Sequence, residues 1–264
     1  MRKRIYGKLT ALALAGAMVL SGCGQSGGNS GTSTADSKAE TSASSGAETS
    51  SEKKPESIGR TDIISANSSD IRSMDPQVGV DSPSATLNFH IYNGLIKIDD
   101  NREPVGDLAE SFEIVDDTKY KFKLRKGVKF HNGDELKASD VKFSLERAKT
   151  MPKAMSNASA IDHVSVDGDY EVTIHLSSPC PAFLYILNDT SMKILSEKAV
   201  TEAGDTYGEA PIGTGPFKFV SFTPGQSFVV EANEGYWNPE LPYLDKVTFK
   251  IVADADTALT ELQA

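Results

Sequence analysis

From Lys119 to Arg125 apolar and basic side chains alternate without a break. Tyr120, Phe122 and Leu124 fall on one side, and Lys119, Lys121, Lys123 and Arg125 on the other. Successive side chains of an extended strand point to opposite faces, so this segment is a strand with one dry and one wet face. Such strands belong to antiparallel sheets packed on one side only. The basic row reads as a solvated face that discourages aggregation rather than as a binding stripe. Before it, Phe112 and Ile114 alternate with polar neighbours, and Asp116-Asp117-Thr118 supplies a turn. A second hairpin is expected from Val164-Ser165-Val166 through Asp167-Gly168-Asp169 to the run Tyr170 to Leu176. A further β group follows at Phe217 to Phe222, Phe228 to Ala232 and Val247 to Val252, with Pro224-Gly225 as a turn.

Helices are interspersed with these strands. Ser82-Pro83 reads as a helix start, with Ser82 as cap and Pro83 at the first helical position. Leu87, Ile91 and Leu95 recur every four residues and predict one buried helical face. Ser139 is expected to cap a second helix that buries Val141, Leu145 and Ala148. Strands mixed with helices predict an α/β architecture from about residue 61 onward.

The N-terminus is different. Arg2, Lys3, Arg4 and Lys8 precede an apolar run from Leu9 to Leu20, too short for a bilayer span of about 20 residues. Residues 1–22 therefore read as a signal peptide. The run ends in Leu20-Ser21-Gly22-Cys23, which looks like a bacterial lipobox, with Cys23 as the lipidated first mature residue. Two acyl chains on that sulfur hold a protein stably on a membrane. Residues 23–57 are rich in Ser, Gly, Thr and Ala without an apolar run, and are expected to form a spacer. The folded part is expected over 58–264. Without the four signal-peptide cations, 23 basic residues stand against 37 acidic ones. No basic patch survives, which argues against a nucleic-acid partner.

Chemistry-bearing patterns are sparse. Cys180 is the second of two cysteines, lies between Pro179 and Pro181, and reads as a small apolar side chain. Gly213-Thr214-Gly215-Pro216 leads into a strand rather than a helix, so it lacks the context of a phosphate loop. His131-Asn132-Gly133-Asp134 reads as a turn with a surface imidazole, and His90, His163 and His175 fall in separate elements. No metal site, cofactor or catalytic residue is expected.

Several segments together resemble one family. They are Ser73-Met74-Asp75-Pro76, Tyr92-Asn93-Gly94-Leu95, Leu108-Ala109-Glu110-Ser111-Phe112, and the stretch from Tyr120 to Gly133. Ala138-Ser139-Asp140-Val141-Lys142-Phe143-Ser144, Gly213-Thr214-Gly215-Pro216-Phe217 and Asn233-Glu234-Gly235-Tyr236-Trp237 complete the series. In this order they resemble the N-terminal half of the bacterial extracellular solute-binding proteins of family 5. Asn93 stands where many members carry Glu, a change read here as neutral.

The resemblance implies a two-lobed, periplasmic-binding-protein-like fold of type II. Lobe I would comprise about 61–95 and 206–264, and lobe II about 96–205. It implies capture of a peptide or other small solute by closure of the lobes, and delivery to an ABC permease and ATPase complex. The protein would be a monomer, lipid-anchored on the extracytoplasmic face of the bacterial membrane, and not an enzyme. A sensor lipoprotein on the same scaffold is the alternative, and a secreted enzyme a distant third. By resemblance the ligand contacts are Val80, Asp81 and Ser82 in lobe I and Met155, Ser156 and Asn157 in lobe II; Asp81 would meet a cationic group such as a peptide amine, with helix capping near Pro83 as its alternative role. Tyr236 and Trp237 read as core aromatics. The family continues past residue 264, so the chain is expected to be part of a longer protein, and the strands of 217–252 to need partners from beyond it.

Overall fold

The computed structural model describes residues 61–263. The signal peptide, Cys23 and the spacer expected at 23–57 lie outside the described residues. The first elements are β1 (Asp62–Asn67), α1 (Ser82–Ile91), β2 (Ile96–Ile98), β3 (Pro104–Gly106), β4 (Ala109–Asp116) and β5 (Lys119–Leu124). Then come α2 (Ala138–Thr150), α3 (Met155–Ala158), β6 (Ile161–Gly168), β7 (Glu171–Leu176), α4 (Phe183–Ile186) and α5 (Glu197–Ala203). The last are β8 (Phe217–Thr223), β9 (Ser227–Ala232), β10 (Lys246–Ile251) and α6 (Ala255–Gln263). The fold is mixed α/β.

The alternating segment is β5, and Tyr120, Phe122 and Leu124 are buried as their spacing requires. It lies inside an antiparallel sheet of order β4-β5-β7-β6. Its lysines therefore guard no edge. Lys121 pairs with Glu171 at 3.1 Å and Lys123 with Glu110 at 2.9 Å, both on the exposed face. Exposed pairs of this kind are screened by solvent and add little to stability. The edge strand is β4, so Ile114 stays 55% exposed despite its alternation. The other sheet has the order β1-β10-β9-β8, with β1 parallel to β10 and the rest antiparallel. The strands of 217–252 find partners in one another and in β1, with β8 and β1 at the edges of the sheet.

Two helix starts differ from the sequence reading. Asp81, not Ser82, caps α1: its carboxylate accepts from Ser84 N at 3.2 Å and from Ser84 Oγ at 3.0 Å. Ser139 lies inside α2, whose first turn is closed by Asp140 accepting from Lys137 N at 2.9 Å. A carboxylate at the third helical position reaches an otherwise unpaired N–H that a hydroxyl at position two does not. Helix α1 ends at Ile91, so Leu95 is buried in the neighbouring core rather than on the helix.

The apolar side chains form two cores. One gathers Leu95 through Ile194, with Phe122, Val172 and Ile174 of the first sheet facing Val141, Leu145 and Ala148 of α2. The other gathers Leu87 and Ile91 of α1, Leu195, Ala199 and Val200 near α5, and Phe217, Phe228, Val230, Val247 and Phe249 of the second sheet. Ile212 packs against both. Polar bonds cross between them. Arg147 of α2 grips Asp75 (Nη2 to Oδ2, 2.6 Å) and Gln77 Oε1 (2.6 Å). Gln77 Nε2 donates to Ser144 O at 2.8 Å, and Leu195 N to Ser144 Oγ at 2.8 Å.

Candidate functional site

The chain between β1 and α1 is bent by Asp75-Pro76. The Asp75 carbonyl accepts from Val78 N (3.0 Å) and Gly79 N (2.8 Å), and its carboxylate accepts from Gln77 N (2.9 Å). A Cβ at Gly79 would lie 2.2 Å from Ser73 O, so only glycine fits. The bend turns Val80 outward, 40% exposed, just ahead of the Asp81 cap.

Across from it, α3 presents Asn157. Asn157 Nδ2 donates to Ser191 Oγ at 3.0 Å, and Ser191 Oγ donates to Asp189 Oδ1 at 2.6 Å. Between these segments lies a cavity of about 540 Å³ lined by Val80, Ala85, Phe89, Asn157, Tyr185, Ile186, Asn188, Asp189 and Thr190. Its size falls in the range of small-molecule pockets, roughly 300–1,000 Å³. Two aromatic rings face it while largely solvated, Phe89 at 48% and Tyr185 at 49% exposure.

The structure thus brings together Val80 and Asn157, one from each predicted segment, as lining of one cavity. The other four predicted residues do not line it. Asp81 is engaged as a cap. The Ser82 carbonyl accepts from Thr86 Oγ1 at 3.0 Å. Met155 is 52% exposed, and the Ser156 carbonyl accepts from Ser159 Oγ at 2.7 Å. Phe89 and Tyr185 were missed. Phe89 lies off the helical face that Leu87 and Ile91 bury, and an aromatic ring on a wet face was the available signal.

Behind the cavity stands Lys193, only 3% exposed, with its ammonium 4.6 Å from the centre of the Phe89 ring. Burial pulls its pKa down to about 8, against the pull of Asp107 and Asp189.

Two further constellations hold the frame. Asn93 is a buried hydrogen-bonding node. Its Nδ2 donates to Asp107 Oδ2 (3.1 Å) and Tyr236 Oη (3.1 Å), and its Oδ1 accepts from Thr214 Oγ1 (3.2 Å) and Trp237 Nε1 (3.4 Å). Burial raises the Asp107 carboxyl and pushes the Tyr236 phenol up to about 12. Tyr236 and Trp237 are half-buried at this node, and Arg125 lies 4.7 Å over the Trp237 ring. Cys180 is half-buried against the first core. Among the described residues, no group of three or more His, Cys, Asp or Glu is placed to hold a metal ion.

His131 is not a surface imidazole. It clamps the loop 213–215 from three points. Its backbone N donates to Gly213 O (2.9 Å), its Nδ1 accepts from Gly213 N (3.3 Å), and its Nε2 donates to Gly215 O (3.1 Å). That set requires the neutral ring with its proton on Nε2. Burial lowers its pKa from 6.5 to about 4. The unfolded chain therefore binds a proton that the folded chain refuses. The stabilisation is complete above pH 6.5 and is lost as pH falls toward 4. On the order of 2–3 kcal/mol of acid sensitivity is expected from this residue. Urea midpoints measured across that window should fall less steeply in His131→Gln than in the wild type. Equal slopes would contradict the clamp.

Comparison with known proteins places these features in context. The family described as "Bacterial extracellular solute-binding proteins, family 5 Middle" matches residues 103–264. The glutathione-binding protein GsiB of Pectobacterium atrosepticum is 34% identical over 206 residues, covering 76% of this chain and 40% of that protein. GsiB of Escherichia coli K12 is 32% identical over 212 residues, with the same coverage. Among solved structures, AgaA from A. tumefaciens R10 in complex with agropinic acid superposes with a TM-score of 0.73 at 28% identity, covering 76% of this chain and 42% of that one. The oligopeptide-binding protein AppA of Bacillus subtilis, in complex with a nonapeptide, gives 0.70 at 30% identity with the same coverage. The chain spans about 40% of the length of the curated relatives it matches.

Proposed function

The chain belongs to the bacterial extracellular solute-binding proteins of family 5, and from that premise we propose that it is part of a lipoprotein that captures peptides or similar small solutes for an ABC importer. The observation that carries the reading is the cavity between Val80 and Asn157. Its lining mixes the apolar and aromatic side chains of Val80, Ala85, Phe89, Tyr185 and Ile186 with the polar ones of Asn157, Asn188, Asp189 and Thr190, which could fix the orientation of a solute. The relatives named above bind glutathione, agropinic acid and a nonapeptide, all small and peptide-like or acidic. In this reading Val80, Asn157, Phe89 and Tyr185 touch the solute. Asp81 and Ser82 fix the direction of α1, and Met155 and Ser156 precede Asn157 in α3.

The lobes, about 61–95 with 206–264 and about 96–205, are then built around the two cores. Their seam carries buried bonds such as Arg147 to Asp75 and Gln77 to Ser144. Opening a cleft there on every binding cycle would strand those groups unpaired. Closure over the solute is accordingly assigned to a movement of both cores, as one body, against the part of the relatives that this chain does not span. The closed form would be presented to a permease and its ATPase. Lipid on Cys23 would hold the protein on the extracytoplasmic face of the membrane, and residues 23–57 would let it swing.

Capture without turnover is the expected behaviour. A tripeptide mixture incubated with the purified chain should be recovered intact by mass spectrometry, and its consumption would overturn the binding reading. Wild-type protein should fractionate with the cell membrane, and Cys23→Ala should be released or remain unprocessed. A Cys23→Ala protein that is processed and membrane-bound like the wild type would remove the anchor from the account.

A further inference from the structure

Lys193 is an anomaly in this frame. A buried ammonium carries three donors and normally finds acceptors for them. The Lys193 ammonium makes no hydrogen bond or ion pair among the described residues, and its side-chain contact is the face of Phe89. The two carboxylates whose charge reaches it are Asp107 and Asp189. Both are committed elsewhere. Asp107 accepts from Asn93 Nδ2 (3.1 Å) and Gly94 N (3.2 Å), and Asp189 Oδ1 from Ser191 N (2.9 Å) and Ser191 Oγ (2.6 Å). Lys193 thus holds an ammonium largely withdrawn from water, though not wholly, with no acceptor among the described residues.

Phe89 lines the cavity and also covers the ammonium. It sits on α1 at 48% exposure, free to change rotamer on a nanosecond scale. Gly94 borders the ammonium closely, since an added Cβ there would lie 3.6 Å from Nζ and 3.0 Å from Ile96 O. A cation–π contact is weaker than a charge-assisted hydrogen bond to a carboxylate in a dry site.

We propose that Lys193 is the anion-recognition residue of the cavity: Phe89 swings aside, and the ammonium takes a carboxylate of the captured solute. The proposal rests on the solute-binding reading above and adds the class of solute, one bearing a carboxylate. It also explains why a costly buried charge is present, because the ammonium is held for a ligand rather than for the fold. Replacing it by an apolar side chain of similar length should then raise the melting temperature, by about 2–4 °C for Lys193→Met. A fall of similar size would show the ammonium to be a structural member and overturn the assignment.

The direct test uses the whole chain with lysine labelled at the side-chain nitrogen, and the Lys193→Met spectrum to assign the signal. Sodium acetate is the probe, and sodium chloride at equal ionic strength the control. Acetate should move the Lys193 signal saturably where chloride does not. It should also raise the titration midpoint of that lysine above about 8. Phe89→Ala should bind acetate several-fold tighter. A Lys193 signal indifferent to acetate in both the wild type and Phe89→Ala overturns the proposal. A second arm compares trialanine with its C-terminal amide. Loss of at least tenfold in affinity for the amide supports the proposal. Equal binding of the two overturns it and leaves the solute reading standing. Binding of neither, with a normal acetate response, supports the carboxylate site and counts against the solute reading.

Discussion

Arg147→Ala is expected to cost the folded unit about 3–5 kcal/mol. The guanidinium is 17% exposed and its partner Asp75 6%, so little water remains to replace the lost bonds. Truncation leaves the Asp75 carboxylate buried without a countercharge, and Gln77 Oε1 without its donor at 2.6 Å. The loss is large because it is the cost of an orphaned charge, not the net worth of the pair. Against a domain stability of roughly 5–15 kcal/mol it removes a large share of the margin. Arg147→Lys keeps the charge but not the planar fork that spans Asp75 and Gln77, so an intermediate loss is expected. Urea denaturation of the three proteins measures this. A loss below about 1 kcal/mol for Arg147→Ala would mean that the pair behaves as a surface ion pair and that the two cores are not tied there.

Gly213→Ala is expected to cost about 3 kcal/mol, at the upper end for an overpacked position. The added Cβ would lie 2.0 Å from Ile91 O and 2.8 Å from Ile91 C. Backbone atoms cannot swing away as a side chain would. The same carbonyl accepts from Gly215 N at 2.8 Å, so displacing it also breaks the pairing of the loop with the end of α1. The His131 clamp on the other side blocks retreat of the loop. Gly225 provides the contrast. It has a φ of +70°, and an added methyl would meet nothing within 4 Å, so Gly225→Ala should cost only the left-handed strain of about 1–2 kcal/mol. Thermal midpoints of the two variants should fall in that order. Equal midpoints would show that the loop relaxes around the methyl.

What could be read from the sequence was local in the chain. The β5 alternation needs only seven residues, and its dry face is buried as its period demands. The buried face of α2 was legible for the same reason. The α1 cap was misplaced by one position because Asp81 and Ser82 are both capping types. The choice is made by Ser84, whose N and Oγ both reach Asp81. Asn93 and His131 could not be read at all. The partners of Asn93 come from residues 107, 214, 236 and 237, and those of His131 from 213 and 215. A side chain closed mostly by partners eighty or more residues away leaves no periodic trace. In the candidate site, Val80 and Asn157 came from resemblance, while Phe89 and Tyr185 required the fold to show that helices α1 and α4 face each other across one cavity.

The central claim is that the cavity between Val80 and Asn157 receives small peptide-like solutes. Backbone amide spectra of the whole chain, titrated with a tripeptide mixture to millimolar concentration, test it most directly. Saturable shifts are expected at Val80, Phe89, Asn157, Tyr185 and Asn188, with the sheet β4-β5-β7-β6 unmoved. The absence of saturable shifts at those amides, or shifts confined to other surfaces, would contradict the account.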